Sequence, residues 1–395
     1  MAPGSGSLLR SRGRHDSGKV SMVELFFDLV FVFAVTQLSH ALLAHLTLAG
    51  VLQTALLLLA VWWVWIYTSW VTNWLDPEQL PVRICLLVLM LAGLLVSVSI
   101  PLAFTQRGLL FAGGYVFMHI GRSLFFLWAV RGEASRLTRN FQRILAWLTL
   151  SGVFWIAGGL EHGDTRIALW AVALLVELVA PWLGFWVPGL GRSRTTDWNV
   201  EGHHMAERCA LFVIIALGES LLVTGTTFAT QDPSSTTAIA FLAAVLGTIA
   251  MWWLYFDTGA ERAHQRISHS DDPRRQARSA YTYLHALIVG GIIVSAAADE
   301  ILLVHPLQAT DPEVAAILGG PLLYLFGNAL FKWVTNDRLM PPLSHLAGLA
   351  LLGALLPPAL GGAITPLVAG VLATAILVLV ATWESMALRR TARAK

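Results

Sequence analysis

Glu24 and Asp28 lie four residues apart in the stretch "VELFFDLVFVFAVTQLSH", Val23 to His40. In a helix that spacing puts both carboxylates on one face. Two acids that close repel each other, and within an apolar run such a pair can hold a proton or a small cation. The same situation recurs along the chain. Glu177 sits in "LLVELV", and "ERCALFVIIALGESLL" carries Glu207 and Glu219. Twelve residues separate those two acids, roughly 18 Å along a helix axis, so Glu219 is expected near the middle of its segment. His119 and Arg122 lie in "GGYVFMHIGRSLFF", and His285, Asp299 and Glu300 in "HALIVGGIIVSAAADE". Asp257 closes another apolar run in "WLYFDTG".

A charged group in hydrocarbon costs at least about 2.5–3.5 kcal/mol, so such residues face protein or a water-filled cavity. Buried Arg favours carboxylate partners. The simplest expectation therefore pairs Arg122 with one or two of the deep acids, in a network that handles a proton or an ion. The same contacts would also serve as glue between helices. Glu24 could instead reach the interface, Asp257 could merely mark a helix end, and Asp299 with Glu300 could collect cations or face water.

Other chemistry finds no motif. "HHMAE", His203 to Glu207, is not the H-E-x-x-H arrangement of a zinc hydrolase, and Cys85 and Cys209 show no metal or disulfide spacing. There is no phosphate-cradling Gly-rich loop, no G-x-S-x-G elbow and no basic, aromatic nucleic-acid surface. Neither a metal nor a cofactor is expected, and no soluble stretch is long enough to fold as an enzyme domain.

The elements that must position these groups follow from composition. Of 395 residues, 56% are hydrophobic and only 13% charged, with 16 Trp and a net charge of +2. The mean hydropathy is +0.67. Soluble domains carry roughly 25% charged residues, so the composition indicates an all-α polytopic membrane protein. A span needs about 20 apolar residues. Twelve candidates result: 23–46, 50–71, 82–103, 109–130, 143–160, 166–187, 206–229, 237–258, 281–304, 314–334, 343–360 and 363–386. With the N-terminus inside, cytoplasmic segments hold all of the 26 Lys and Arg except Arg107, Arg122 and Arg166. That asymmetry fits the positive-inside tendency and puts both termini in the cytoplasm.

The chain also repeats itself. "GGYVFMHIGRSLFF" from Gly113 matches "GGPLLYLFGNALFK" from Gly319; "AGLLVSVS" matches "GGIIVSAA"; "WIY" at Trp65 matches "WLY" at Trp253; Glu24 and Glu207 each open a long apolar run. These matches keep their order. They predict two parallel six-helix repeats, 20–187 and 206–388, joined by a cytoplasmic linker at 188–205. A disordered basic tail, 1–19, and a short basic tail, 389–395, complete the organisation.

The first motif, the "ERCALFVIIALGESLL" segment, "YFDTGAER" at Tyr255 and "HALIVGGIIVSAAADE" at His285 together resemble the bacterial low-temperature-requirement protein A family. The resemblance runs across nearly the whole chain. It implies a multi-pass bacterial membrane protein linked by name to growth in the cold. Span one alone is similar to the Phe-Ser-Asp signature that opens the six-helix repeats of endolysosomal and bacterial potassium channels. Here Phe27 stands where that signature has serine, and the likeness implies that Asp28 packs helices beside a pore.

The reading is a secondary transporter or ion-conducting protein of a bacterial cytoplasmic membrane. Its partners would be membrane lipid and a small ion, proton or small molecule, not nucleic acid; its oligomeric state is open. Two alternatives stand beside it: an intramembrane enzyme working on a lipid or isoprenoid at the cytoplasmic interface, and a structural protein for cold adaptation.

Overall fold

The computed structural model describes residues 7–10, 19–131, 135–193, 202–257, 278–336 and 340–393. Among them are twelve α-helices and no strand longer than an isolated bridge. They are α1 (Met22–Ala44), α2 (Leu48–Trp74), α3 (Leu80–Ser99), α4 (Gly108–Ala129), α5 (Ser135–Leu160) and α6 (Gly163–Val179). Then follow α7 (Gly202–Thr230), α8 (Ser235–Phe256), α9 (His285–Val304), α10 (Asp311–Asn336), α11 (Leu343–Leu360) and α12 (Pro366–Arg393). Eleven of the segments are long and apolar enough to cross a membrane. The protein is thus an all-helical, multi-pass membrane protein.

The helix ends carry recognisable signals. Ser21 and Glu24 form a reciprocal cap at the start of α1: the Ser21 N–H donates to Glu24 Oε2 at 2.9 Å, and the Glu24 N–H to Ser21 Oγ at 3.3 Å. Glu313 accepts from the Thr310 N–H at 2.7 Å to open α10, and Ser234 accepts from Thr237 N–H at 3.0 Å to open α8.

Helix α6 departs from expectation. The apolar run 166–187 suggests a full span, yet the helix has 17 residues and stops at Val179. Pro181 follows, and Gly184 and Phe185 adopt φ of +62° and +49°, so the chain turns while the sequence is still apolar. At about 1.5 Å per residue α6 is roughly 25 Å long, short of a typical hydrocarbon core.

The chain divides into two compact units: residues 1–41 with 52–208, and 42–51 with 209–395. The first contains most of α1 and of α2, all of α3 to α6 and the opening turns of α7; the second contains the end of α1, the first turn of α2, the rest of α7 and α8 to α12. Many outward-facing helix positions are apolar. On α3, for example, Leu87, Leu91, Leu94 and Leu95 are exposed while Leu86, Leu89, Gly93 and Val96 are buried. Charged side chains are instead found inside, among them Glu24, Asp28, Arg122, Glu177 and Arg208. A soluble protein shows the opposite distribution.

Candidate functional site

In the first unit, two polar clusters form around helix α2. The first closes on Glu24 and Asp28. Arg208, fully buried in α7, donates from Nη1 to Glu24 Oε1 at 3.0 Å and from Nη2 to Asp28 Oδ1 at 2.6 Å. Trp65 Nε1 donates to the same Asp28 oxygen at 2.7 Å, and the Arg208 guanidinium lies 5.6 Å from the Trp65 ring. Glu24 has further partners: Arg10 Nη2 at 2.9 Å and His204 Nε2 at 2.8 Å. Arg10 belongs to residues 7–10, which run beside the end of α2 and give Arg10 N–H to Trp74 O at 2.8 Å. Glu207 accepts the Val20 N–H at 3.2 Å.

The second cluster lies among α2, α4, α5 and α6. Glu177 accepts from Tyr115 Oη at 2.5 Å, from Trp155 Nε1 at 2.9 Å and from Ser151 Oγ. Arg122 does not pair with a carboxylate as the sequence suggests. It donates to Val64 O at 3.1 Å, to Thr68 Oγ1 at 3.0 Å and to His119 Nδ1 at 2.9 Å. With Nδ1 accepting, a neutral His119 carries its hydrogen on Nε2, and that atom faces Glu177 Oε2 at 3.9 Å, too long for a hydrogen bond. By residue type the buried acids Glu24, Asp28 and Glu177 stand with Arg10, Arg122 and Arg208, and the half-buried Glu207 lies beside the first cluster.

Polar atoms in both clusters are buried without a hydrogen-bond partner: Asp28 Oδ2, Arg208 Nε, Arg122 Nε and His119 Nε2. Most buried polar atoms in proteins are satisfied, so a string of orphans inside one helix bundle needs a cause.

The remaining expected residues belong to the second unit. Glu219 is buried in α7, 4% exposed. Ser220 beside it donates to Asp299 Oδ2 at 3.2 Å, and Glu300 is half-buried. Asp257 accepts from Trp253 Nε1 at 2.9 Å and Ser385 Oγ at 3.0 Å. His285 is 2.8 Å from Tyr255 Oη through Nε2 and 3.0 Å from Ala280 O through Nδ1. Arg262 and Arg266, which the lipid-enzyme alternative needs near Asp257, lie outside the described residues, as does most of the 1–19 tail.

Sequence reasoning missed several participants. Arg208 and Lys332 count as cytoplasmic loop charges by their positions, yet both are buried; Lys332 Nζ is 2.6 Å from Glu384 Oε2. Arg166, expected in an outer loop, donates to the carbonyls of Gly158, Glu161, Ala103 and Thr105, tying helix ends together. The Ser21-x-x-Glu24 pattern is a visible capping signal. Nothing local identifies Arg208 as the partner of two acids.

The bacterial low temperature requirement A protein model matches residues 19–382. The chain belongs to this family. An uncharacterized protein of Rhizobium meliloti (strain 1021) is 42% identical over 384 residues, covering 96% of this chain and 92% of that protein. No solved structure matches. In this member of the low temperature requirement A family the buried acids Glu24, Asp28 and Glu177 all lie within the matched residues.

Proposed function

We propose that the protein moves protons or small ions across the cytoplasmic membrane of a bacterium, and that the buried clusters of the first unit form part of the path or its coupling element. The observation that carries this reading is the set of four orphaned polar atoms, on Asp28, Arg208, Arg122 and His119. In a polar interior of this kind, such atoms suit transient water and proton exchange along Glu24, Asp28, His119 and Glu177. In the second unit Glu219 and Asp299 are the acids assigned to the same task.

The proposal includes the two parallel six-helix repeats with both termini cytoplasmic. One pair of corresponding contacts supports it. A Cβ on Gly114 would meet Val96 at 2.9 Å, and one on the matching Gly320 would meet Ser295 at 2.5 Å, each in the preceding helix of its own unit.

A second reading has its own support. Glu24 is ringed by Arg10, His204, Arg208 and its own capping serine, an arrangement suited to locking helices in place. Flux in reconstituted vesicles separates the two. Proton or cation flux in the wild type that is lost in folded Asp28→Asn and Glu177→Gln supports transport. Equal flux in wild type and variants, or none in the wild type, leaves the structural reading.

A further inference from the structure

The second unit contains a cavity of about 30 Å³ between α8, α9, α10 and α12. A water needs only about 10–15 Å³ by this measure, so the space suits one small ion with a water. Its wall includes Asp299, Ser295, Thr248, Thr374, Ile317 and Pro321.

Four observations converge there. First, Asp299 brings a carboxylate, and no Lys, Arg or His is among the described residues lining the cavity. A carboxylate in a membrane interior requires a compensating charge. Second, Ser295 Oγ is 96% buried in residue terms (4% exposed) and has no hydrogen-bond partner. Third, Pro321 lies inside α10 and has no N–H, so the Ile317 carbonyl one turn earlier loses its helical donor. Fourth, Ser220 Oγ donates to Asp299 Oδ2 at 3.2 Å and stands 3.2 Å from Thr248 Oγ1, joining these oxygens into one group.

We propose that this cavity is a binding site for one small monovalent cation of sodium size, with Asp299 supplying the charge and Ser295, Thr248 and the Ile317 carbonyl supplying neutral oxygens. The donor set is all oxygen, which selects a hard cation. A single carboxylate matches a single positive charge, whereas calcium sites commonly use several. Gly247 in the wall keeps the space open: a Cβ there would come within 3.2 Å of Thr374 Oγ1. The site stands on the second unit alone and does not depend on the clusters around α2.

The test is thermal unfolding of the purified full chain in detergent, in sodium, lithium, potassium or choline chloride at equal ionic strength. A ligand that binds only the folded state raises the midpoint in a concentration-dependent way. Sodium is expected to raise it above choline, Asp299→Asn to abolish the difference, and Ser295→Ala to raise the half-saturating sodium concentration about tenfold. No difference between sodium and choline in the wild type would overturn the site, the carboxylate then being neutralised by a proton. So would an equal sodium effect in Asp299→Asn. If that variant does not fold, Ser295→Ala decides, and an unchanged half-saturation overturns the assignment. Sodium stabilisation without flux in vesicles would retain the site while removing transport.

Discussion

Arg208 and Asp28 meet at 2.6 Å across 180 positions of sequence, with the Arg208 side chain wholly buried. The contact fastens the opening turns of α7 to α1. Because Arg208 also holds Glu24, it bridges the two acids on one face of α1, while Arg10 takes the other oxygen of Glu24. The repulsion that their spacing implies is thereby offset within a cluster of two acids and two arginines.

Removing that cation should be the most damaging change at this site. Breaking a buried pair by deleting one partner costs about 3–5 kcal/mol, and Arg208→Met strands Asp28 while leaving Glu24 only Arg10 and His204. Asp28→Asn leaves Arg208 its bond to Glu24 and should cost less. Unfolding midpoints in detergent are expected to fall in the order wild type, Asp28→Asn, Arg208→Met. The reverse order would show that Arg208 does not hold the pair together.

Glu177 offers a finer measurement. Its three donors come from α4 and α5, and hydrogen bonds to charged groups contribute about 1.5–3 kcal/mol each. Tyr115→Phe and Trp155→Phe should each destabilise within that range. Because both donors act on one carboxylate, the double variant should lose less or more than the two single losses added, a coupling that a double-mutant cycle detects. Strict additivity would mean that Glu177 is not their common point.

What could be read in advance follows from the range of each signal. Hydropathy is local, so it places the eleventh span at 343–360, and α11 is Leu343–Leu360. Hydropathy overran α6 because the turn after Val179 is itself apolar, and only Pro181 and Gly184 mark it. The deep acids were visible because a carboxylate in an apolar run is conspicuous. Their partners were not. Arg208 and Lys332 sit near segment ends, where a charge-distribution argument assigns them to the cytoplasm, and which acid a distant cation meets is decided by helix packing. Arg122 shows the converse: it was visible as a deep charge, but backbone Val64 O and Thr68 Oγ1 supply acceptors that no pattern of charges predicts.

The Lys332–Glu384 pair is expected to behave as a buried structural link. Lys332 also donates to Leu254 O, so it joins α8, α10 and α12. Lys332→Met should lower the midpoint by an amount equivalent to about 3–5 kcal/mol. Lys332→Met/Glu384→Leu, which removes both charges, should recover part of the loss. Failure of the second change to recover anything would indicate that the Leu254 carbonyl, not the carboxylate, is the partner that matters.

The glycine pattern yields a prediction that separates packing from helix propensity. A Cβ on Gly291 would lie 2.4 Å from Tyr324 N and 2.5 Å from its Cα, backbone atoms that cannot rotate aside, so α9 and α10 approach closely at that point. Gly113 has nothing within 4 Å of its would-be Cβ. Overpacking costs typically about 1–3 kcal/mol, whereas Ala in an open helical position gains up to about 1 kcal/mol over Gly. Gly291→Ala is therefore expected to lower the unfolding midpoint and Gly113→Ala to leave it unchanged or raise it. Equal behaviour of the two variants would mean that α9 and α10 are not held at glycine-limited distance, and the wall of the Asp299 cavity, built on the same two helices, would lose its fixed geometry with it.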